Sequence, residues 1–160
     1  MMDTLIQILM GALGTLGFNI LFHIRGRKLL LATLGGVISW GTFLLLEPLL
    51  PGEAFRYFLA AAVITIYGEL LARKMKTPTT TFLVPSIVPL IPGSALYYTM
   101  NYALGAHWSE FAGQAFYTLQ LALSLAVGII AVTTTVRLIS VLIRKYKKAE
   151  KGSLFHHSIK

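Results

Sequence analysis

Pro85, Pro89 and Pro92 stand close together, with Gly93 and Ser94 directly after, in the run TTTFLVPSIVPLIPGSALYYTMN from Thr79 to Asn101. The chemistry on offer is recognition of a small polar molecule. Each proline lacks an N–H and clashes with the carbonyl four residues earlier. A helix continued through them would therefore strand the carbonyls of Thr81, Pro85 and Val88. Gly93 adopts positive φ at little cost, and Ser94 is a favoured N-cap. A new helix is expected to open there, its free N–H groups and positive dipole end suited to a carboxylate. Ser94, Tyr97, Tyr98 and Asn101 recur at three- and four-residue spacing, which gives that half-helix a polar stripe. Thr79, Thr80 and Thr81 precede the break, where their hydroxyls could bond freed carbonyls, their own backbone or a ligand. The candidate ligand-binding positions are Thr80, Pro85, Pro89, Pro92, Gly93, Ser94, Tyr97 and Asn101.

Glu69 is the carboxylate set well inside an apolar stretch. An ionisable group there is costly and points to function with a named partner. Arg73, one turn later, is that partner. Two roles stay open: proton coupling, or a structural pair at the water boundary. Asn19 and Gln7 fit interhelical hydrogen bonding better than ligand binding.

Other chemistries lack their residues. Cysteine is absent, and the six acidic residues are spread along the chain while the histidines sit in loops and the tail. No cluster for metal or acid–base catalysis forms, so no catalytic residue, metal or cofactor is expected and the chain does not read as an enzyme.

The elements that hold these residues are membrane spans. The 160 residues are 56% hydrophobic and 12% charged, with mean hydropathy +0.72, whereas soluble domains carry about a quarter charged residues. Apolar stretches run Leu5–Phe22, Leu29–Leu46, Phe58–Ala72, Phe82–Ala106 and Phe111–Ile143. A membrane helix takes roughly 17–25 apolar residues, so the expectation is an all-α polytopic bundle of five spans, the fourth proline-broken. Broken backbone at membrane depth must be buried in protein or line a cavity, and carriers place their sites at such discontinuous helices. The first stretch lacks a positive leader and a small-residue cleavage site, and reads as a retained helix. Gly11, Gly14 and Gly17, and Gly35, Gly36 and Ser39, are expected to allow close helix approach.

Net charge +8 would suggest nucleic acid in a soluble chain; here its distribution reports topology. Thirteen of the fourteen basic residues fall between spans one and two, between three and four, or at and beyond the end of span five; Arg56 is the exception. The positive-inside rule makes that side cytoplasmic. A re-entrant fourth segment would move the basic tail outside, so the segment is expected to cross. The result is a multi-pass cell-membrane protein with its N-terminus outside. Residues 1–148 form the transmembrane domain, and 149–160 a basic cytoplasmic tail that anchors topology or meets anionic lipid.

Tyr67-Gly68-Glu69-Leu70-Leu71-Ala72-Arg73, then Pro78 and the Pro-x-x-x-Pro-x-x-Pro-Gly run from Pro85 to Gly93, resemble the threonine/serine exporter family. The likeness is to its C-terminal-half domain, which also exists as a separate short subunit. Glu69, Pro85, Pro89, Pro92 and Gly93 match the motif, while Ser86 stands where glycine is common. The resemblance implies ion-driven export of small amino acids or similar small carboxylates, including dicarboxylates, together with a second polypeptide equivalent to the N-terminal half. A non-transporting scaffold or assembly subunit is the alternative, and leaves the proline break without a purpose.

Overall fold

The computed structural model describes the backbone of residues 2–157 and the side chains of residues 2–143. Six α-helices make the fold: α1 (Met2–Leu21), α2 (Arg27–Leu46), α3 (Glu53–Met75), α4 (Thr80–Ile87), α5 (Gly93–Leu104) and α6 (Trp108–His157). A 3₁₀ turn, Val88–Leu90, follows α4. Among the described residues there is no strand. Four helices are long and apolar enough to cross a membrane, and α4 with α5, bent by 58°, passes the same test as a pair. The expected all-α bundle with one discontinuous helix is what the chain forms. The tail from residue 149 continues α6 as backbone as far as His157; its side chains and Ser158–Lys160 lie outside the described residues.

The bent pair crosses rather than doubling back. Tyr117 donates a hydrogen bond to the Glu53 carboxylate at one end of α3. Arg73 at the other end donates to Ser140 Oγ at 3.1 Å. Helices α3 and α6 therefore run parallel, and a connection between parallel spans must itself traverse the bundle. At 1.5 Å per residue, with both limbs leaning equally, Thr80–Leu104 reaches about 33 Å along the normal, enough for a ~30 Å hydrocarbon core.

Helix α2 lies at the centre, against α1, α3 and α4. In lipid there is no hydrophobic gain from helix association, so closeness of fit decides which faces meet. Gly35 and Gly36 supply it. A Cβ at Gly36 would sit 2.0 Å from Thr15 Oγ1, and one at Gly35 would sit 2.1 Å from Ser86 Oγ. Gly11 lies against Trp40 and Pro89, but Gly14 and Gly17 meet nothing within 4 Å. The small-residue face expected of α1 is thus confined to Gly11, since the face toward α2 runs through Gly11, Thr15 and Asn19, and Gly14 and Gly17 are rotated away from it. Gly128 on α6 is a close approach missed in the sequence, where an added Cβ would come 2.5 Å from the Phe58 carbonyl.

At the other end of the bundle a hydrophobic cluster gathers Phe43, Tyr57, Ile64, Leu90 and Leu121. Arg56, the isolated basic residue, is 3.8 Å from Glu47 and stacks 5.0 Å from the Phe43 ring centroid. Helices α1, α3 and α5 end in left-handed residues that are not glycine: His23 (φ 57), Lys76 (φ 50) and Ala106 (φ 54). Each is followed by an N–H that reaches back five residues, Ile24 to Asn19, Thr77 to Ala72 and His107 to Tyr102. That is the Schellman closure, which satisfies carbonyls that a helix end leaves open.

Candidate functional site

The break is sealed by protein. After Pro85, the Val88 N–H bonds the Pro85 carbonyl, and Ile91 N–H bonds the Val88 carbonyl at 3.2 Å. Two of the carbonyls that the prolines would strand are thus taken up by i→i+3 bonds of the 3₁₀ turn. The Ser86 carbonyl receives Ser39 Oγ from α2 at 2.7 Å. Ser86 Oγ lies 2.6 Å from the Phe82 carbonyl and 3.1 Å from the Ala32 carbonyl on α2. Tyr67 Oη donates to the Leu31 carbonyl at 2.8 Å. Phe82, Ser86 and Leu90 are fully buried. Ser39 and Ser86 bind the break to α2, and Tyr67 ties α3 to the same helix beside it.

The local geometry after the break differs from expectation at two residues. Gly93 does not adopt positive φ; among the described residues the glycine that does is Gly26. Pro92 itself makes the corner, at φ −74 and ψ 64, an inverse γ-turn closed by Gly93 N–H to the Ile91 carbonyl at 2.7 Å. Pro92 is therefore the N-cap of α5, and Ser94, already the second helical residue, makes no cap. Proline's fixed φ supplies the turn that glycine was expected to supply.

The candidate positions divide among four places. Thr80 and Pro85 line a cavity of about 620 Å³ at the end of the bundle where α1 passes into α2. Its wall also holds His23, Arg25, Lys28 and Thr81. From the sequence, Arg25 and Lys28 read only as topology charges. Nothing local says that the 22–28 loop folds over the start of α4. Pro89 borders a second cavity, about 320 Å³, with Gln7, Gly11 and Trp40. Pro92 is buried at the corner. Gly93, Ser94, Tyr97, Tyr98 and Asn101 lie exposed along α5, with Tyr97 and Tyr98 two-thirds and half exposed. The opposite side of α5 packs on α6, where Thr99 and Thr118 hydroxyls meet at 2.9 Å.

Glu69 joins three elements. Its carboxylate is 3.8 Å from the Arg73 guanidinium and accepts a hydrogen bond from Thr79 Oγ1 at 3.2 Å. Through Arg73 and Ser140 the link extends to α6. A cavity of about 540 Å³ between α3 and α6 opens beside it, with Thr133 and Arg137 in its wall. The expected Glu69–Arg73 pair is present; the Thr79 bond, which ties the carboxylate to the residue before α4, was not foreseen. Asn19 is buried and donates to Thr33 Oγ1 at 3.0 Å, an interhelical bond as expected. Among the described residues, no group of three His, Asp or Glu could hold a metal.

The arrangement offers a sealed bend in mid-bundle, a basic cavity at one end and a carboxylate shared between helices. Compared with known proteins, residues 7–135 match the family model described as Threonine/Serine exporter, ThrE. No curated protein and no solved structure matches the chain.

Proposed function

Since this chain belongs to the threonine/serine exporter family, we propose that it is one subunit of a secondary exporter carrying threonine, serine or a similar small carboxylate out of the cell. The observation that carries the subunit reading is the stripe on α5. Ser94, Tyr97, Tyr98 and Asn101 are exposed on a helix within the bilayer, and polar groups at that depth need partners other than lipid. A second polypeptide, equivalent to the family's N-terminal half, covers that stripe and closes the substrate path between the two chains. Thr80, Pro85, Pro89, Pro92 and Gly93 shape the path on this side, and Glu69 carries the coupling proton.

The charge asymmetry supports an N-terminus outside and a cytoplasmic C-terminus. The α1–α2 loop and the start of α4 then face the cytoplasm, where an export substrate is gathered. In cells loaded with threonine, co-expression of this chain with an N-terminal-half protein should restore efflux, and neither protein alone should. Full efflux from cells making this chain alone would refute the subunit reading.

A further inference from the structure

We propose that the cavity at the α1–α2 turn is a recognition site for a small oxyanion of net negative charge, held by Arg25 and Lys28. Its place in transport rests on the exporter reading, but the binding itself does not.

Four observations lead there. The wall brings together His23 and Arg25 from the α1–α2 loop, Lys28 from the first turn of α2, and Thr80 and Thr81 from the start of α4. The two ion pairs among the described residues are Arg56–Glu47 and Arg73–Glu69, so neither Arg25 nor Lys28 is neutralised by a described carboxylate. Among the described residues, no carboxylate lines the cavity. Finally, threonines deeper in the helices, such as Thr15, Thr42 and Thr65, spend their hydroxyls on the carbonyl four residues back. Thr80 and Thr81 lie in the first turn of α4 and line the cavity, where their hydroxyls can donate to a ligand.

These groups select by charge. Arginine presents a planar fork of donors matched to carboxylate or phosphate oxygens, and lysine adds a point charge. A zwitterionic amino acid could place its carboxylate there, but its ammonium would face the same two cations with no acid to receive it. Each such like-charge contact opposes binding. An anion of two negative groups meets no such opposition. The volume, about 620 Å³, accommodates a short dicarboxylate with its water, or the phosphate headgroup of a lipid, and these two sources share the chemistry.

Equilibrium binding of radiolabelled malonate to the full chain in phosphatidylcholine nanodiscs separates them. Saturable binding is expected, weakened at least tenfold by Arg25→Gln and by Lys28→Gln, and unaffected by a tenfold excess of threonine. Arg27→Gln removes the neighbouring charge at the first residue of α2, outside the cavity wall, and should leave binding intact. Thr81→Val, which removes one donor without altering charge, should weaken it several-fold. If phosphatidylglycerol in the disc displaces malonate from the wild type but is not retained by Arg25→Gln, the site stands and the headgroup is its occupant. The proposal is overturned if malonate does not saturate and phosphatidylglycerol is not retained, if threonine competes equally, or if Arg27→Gln weakens binding as much as Arg25→Gln. Because no transport is measured, a failed efflux assay leaves this result standing, and the reverse also holds.

Discussion

Replacing Gly35 by alanine should loosen the bundle at the break, and a second substitution should restore it. The added Cβ would lie 2.1 Å from Ser86 Oγ, 2.9 Å from Ser86 Cβ and 3.2 Å from Tyr67 Cε1. Ser86 cannot simply turn aside, because its hydroxyl is held between the Phe82 and Ala32 carbonyls and its own carbonyl is held by Ser39. Helices α2 and α4 must then separate. Overpacking of this kind costs about 1–3 kcal/mol, and each interhelical hydrogen bond lost in a membrane protein adds about 0.6 kcal/mol. The expected loss for Gly35→Ala is therefore about 2–4 kcal/mol. Ser86→Gly removes both the Oγ and the Cβ, so Gly35→Ala with Ser86→Gly should recover most of it. Ser86→Ala keeps the Cβ at 2.9 Å and should recover little. The assay is reversible unfolding in mixed micelles, read as a double-mutant cycle with a coupling of at least 1 kcal/mol. A loss below 0.5 kcal/mol for Gly35→Ala, or equal recovery with glycine and alanine at 86, would refute the close-packed break.

Ser39→Ala leaves the buried Ser86 carbonyl without its donor and should destabilise by about 1–3 kcal/mol, measured in the same unfolding assay. Ala106→Gly relieves a left-handed residue at φ 54, a conformation that costs a side chain roughly 1–2 kcal/mol. It should raise the melting temperature, and a decrease would contradict the Schellman end of α5. Glu69→Gln keeps an acceptor for Thr79 but cannot ionise. Folding should change by less than about 1 kcal/mol, since Arg73 is half exposed and such pairs are weak. Proton-driven efflux by the two-subunit carrier should fall to background; unchanged proton-driven efflux in Glu69→Gln would remove the carboxylate from coupling.

The spans and the break were legible because lipid leaves few solutions. Long apolar runs become helices, and three prolines with a glycine cannot continue one. Segment Phe58–Ala72 underestimates α3, which begins at Glu53 and ends at Met75, because polar residues at its ends still gain from helix hydrogen bonding. The Glu69–Arg73 pair followed from helical spacing alone. What could not be read were the meetings between elements. That Gly14 and Gly17 face nothing while Gly128 meets a backbone carbonyl depends on how each helix is rotated. The partnership of Arg25 and Lys28 with Thr80 and Thr81 depends on a loop crossing to a distant helix start. At Gly93 the sequence suggested the wrong agent, since Pro92 turns the chain by its own ring geometry.

We propose that this chain exports small carboxylates only as part of a two-chain carrier. Proteoliposomes with an imposed proton gradient, containing this chain, an N-terminal-half protein, or both, test it directly with labelled threonine, serine and a short dicarboxylate. Gradient-dependent flux of at least one of these should appear only where both chains are present, and should vanish when Glu69→Gln replaces the wild type. Flux of equal rate from this chain alone, or no flux of any of the three with both chains correctly inserted, would contradict it.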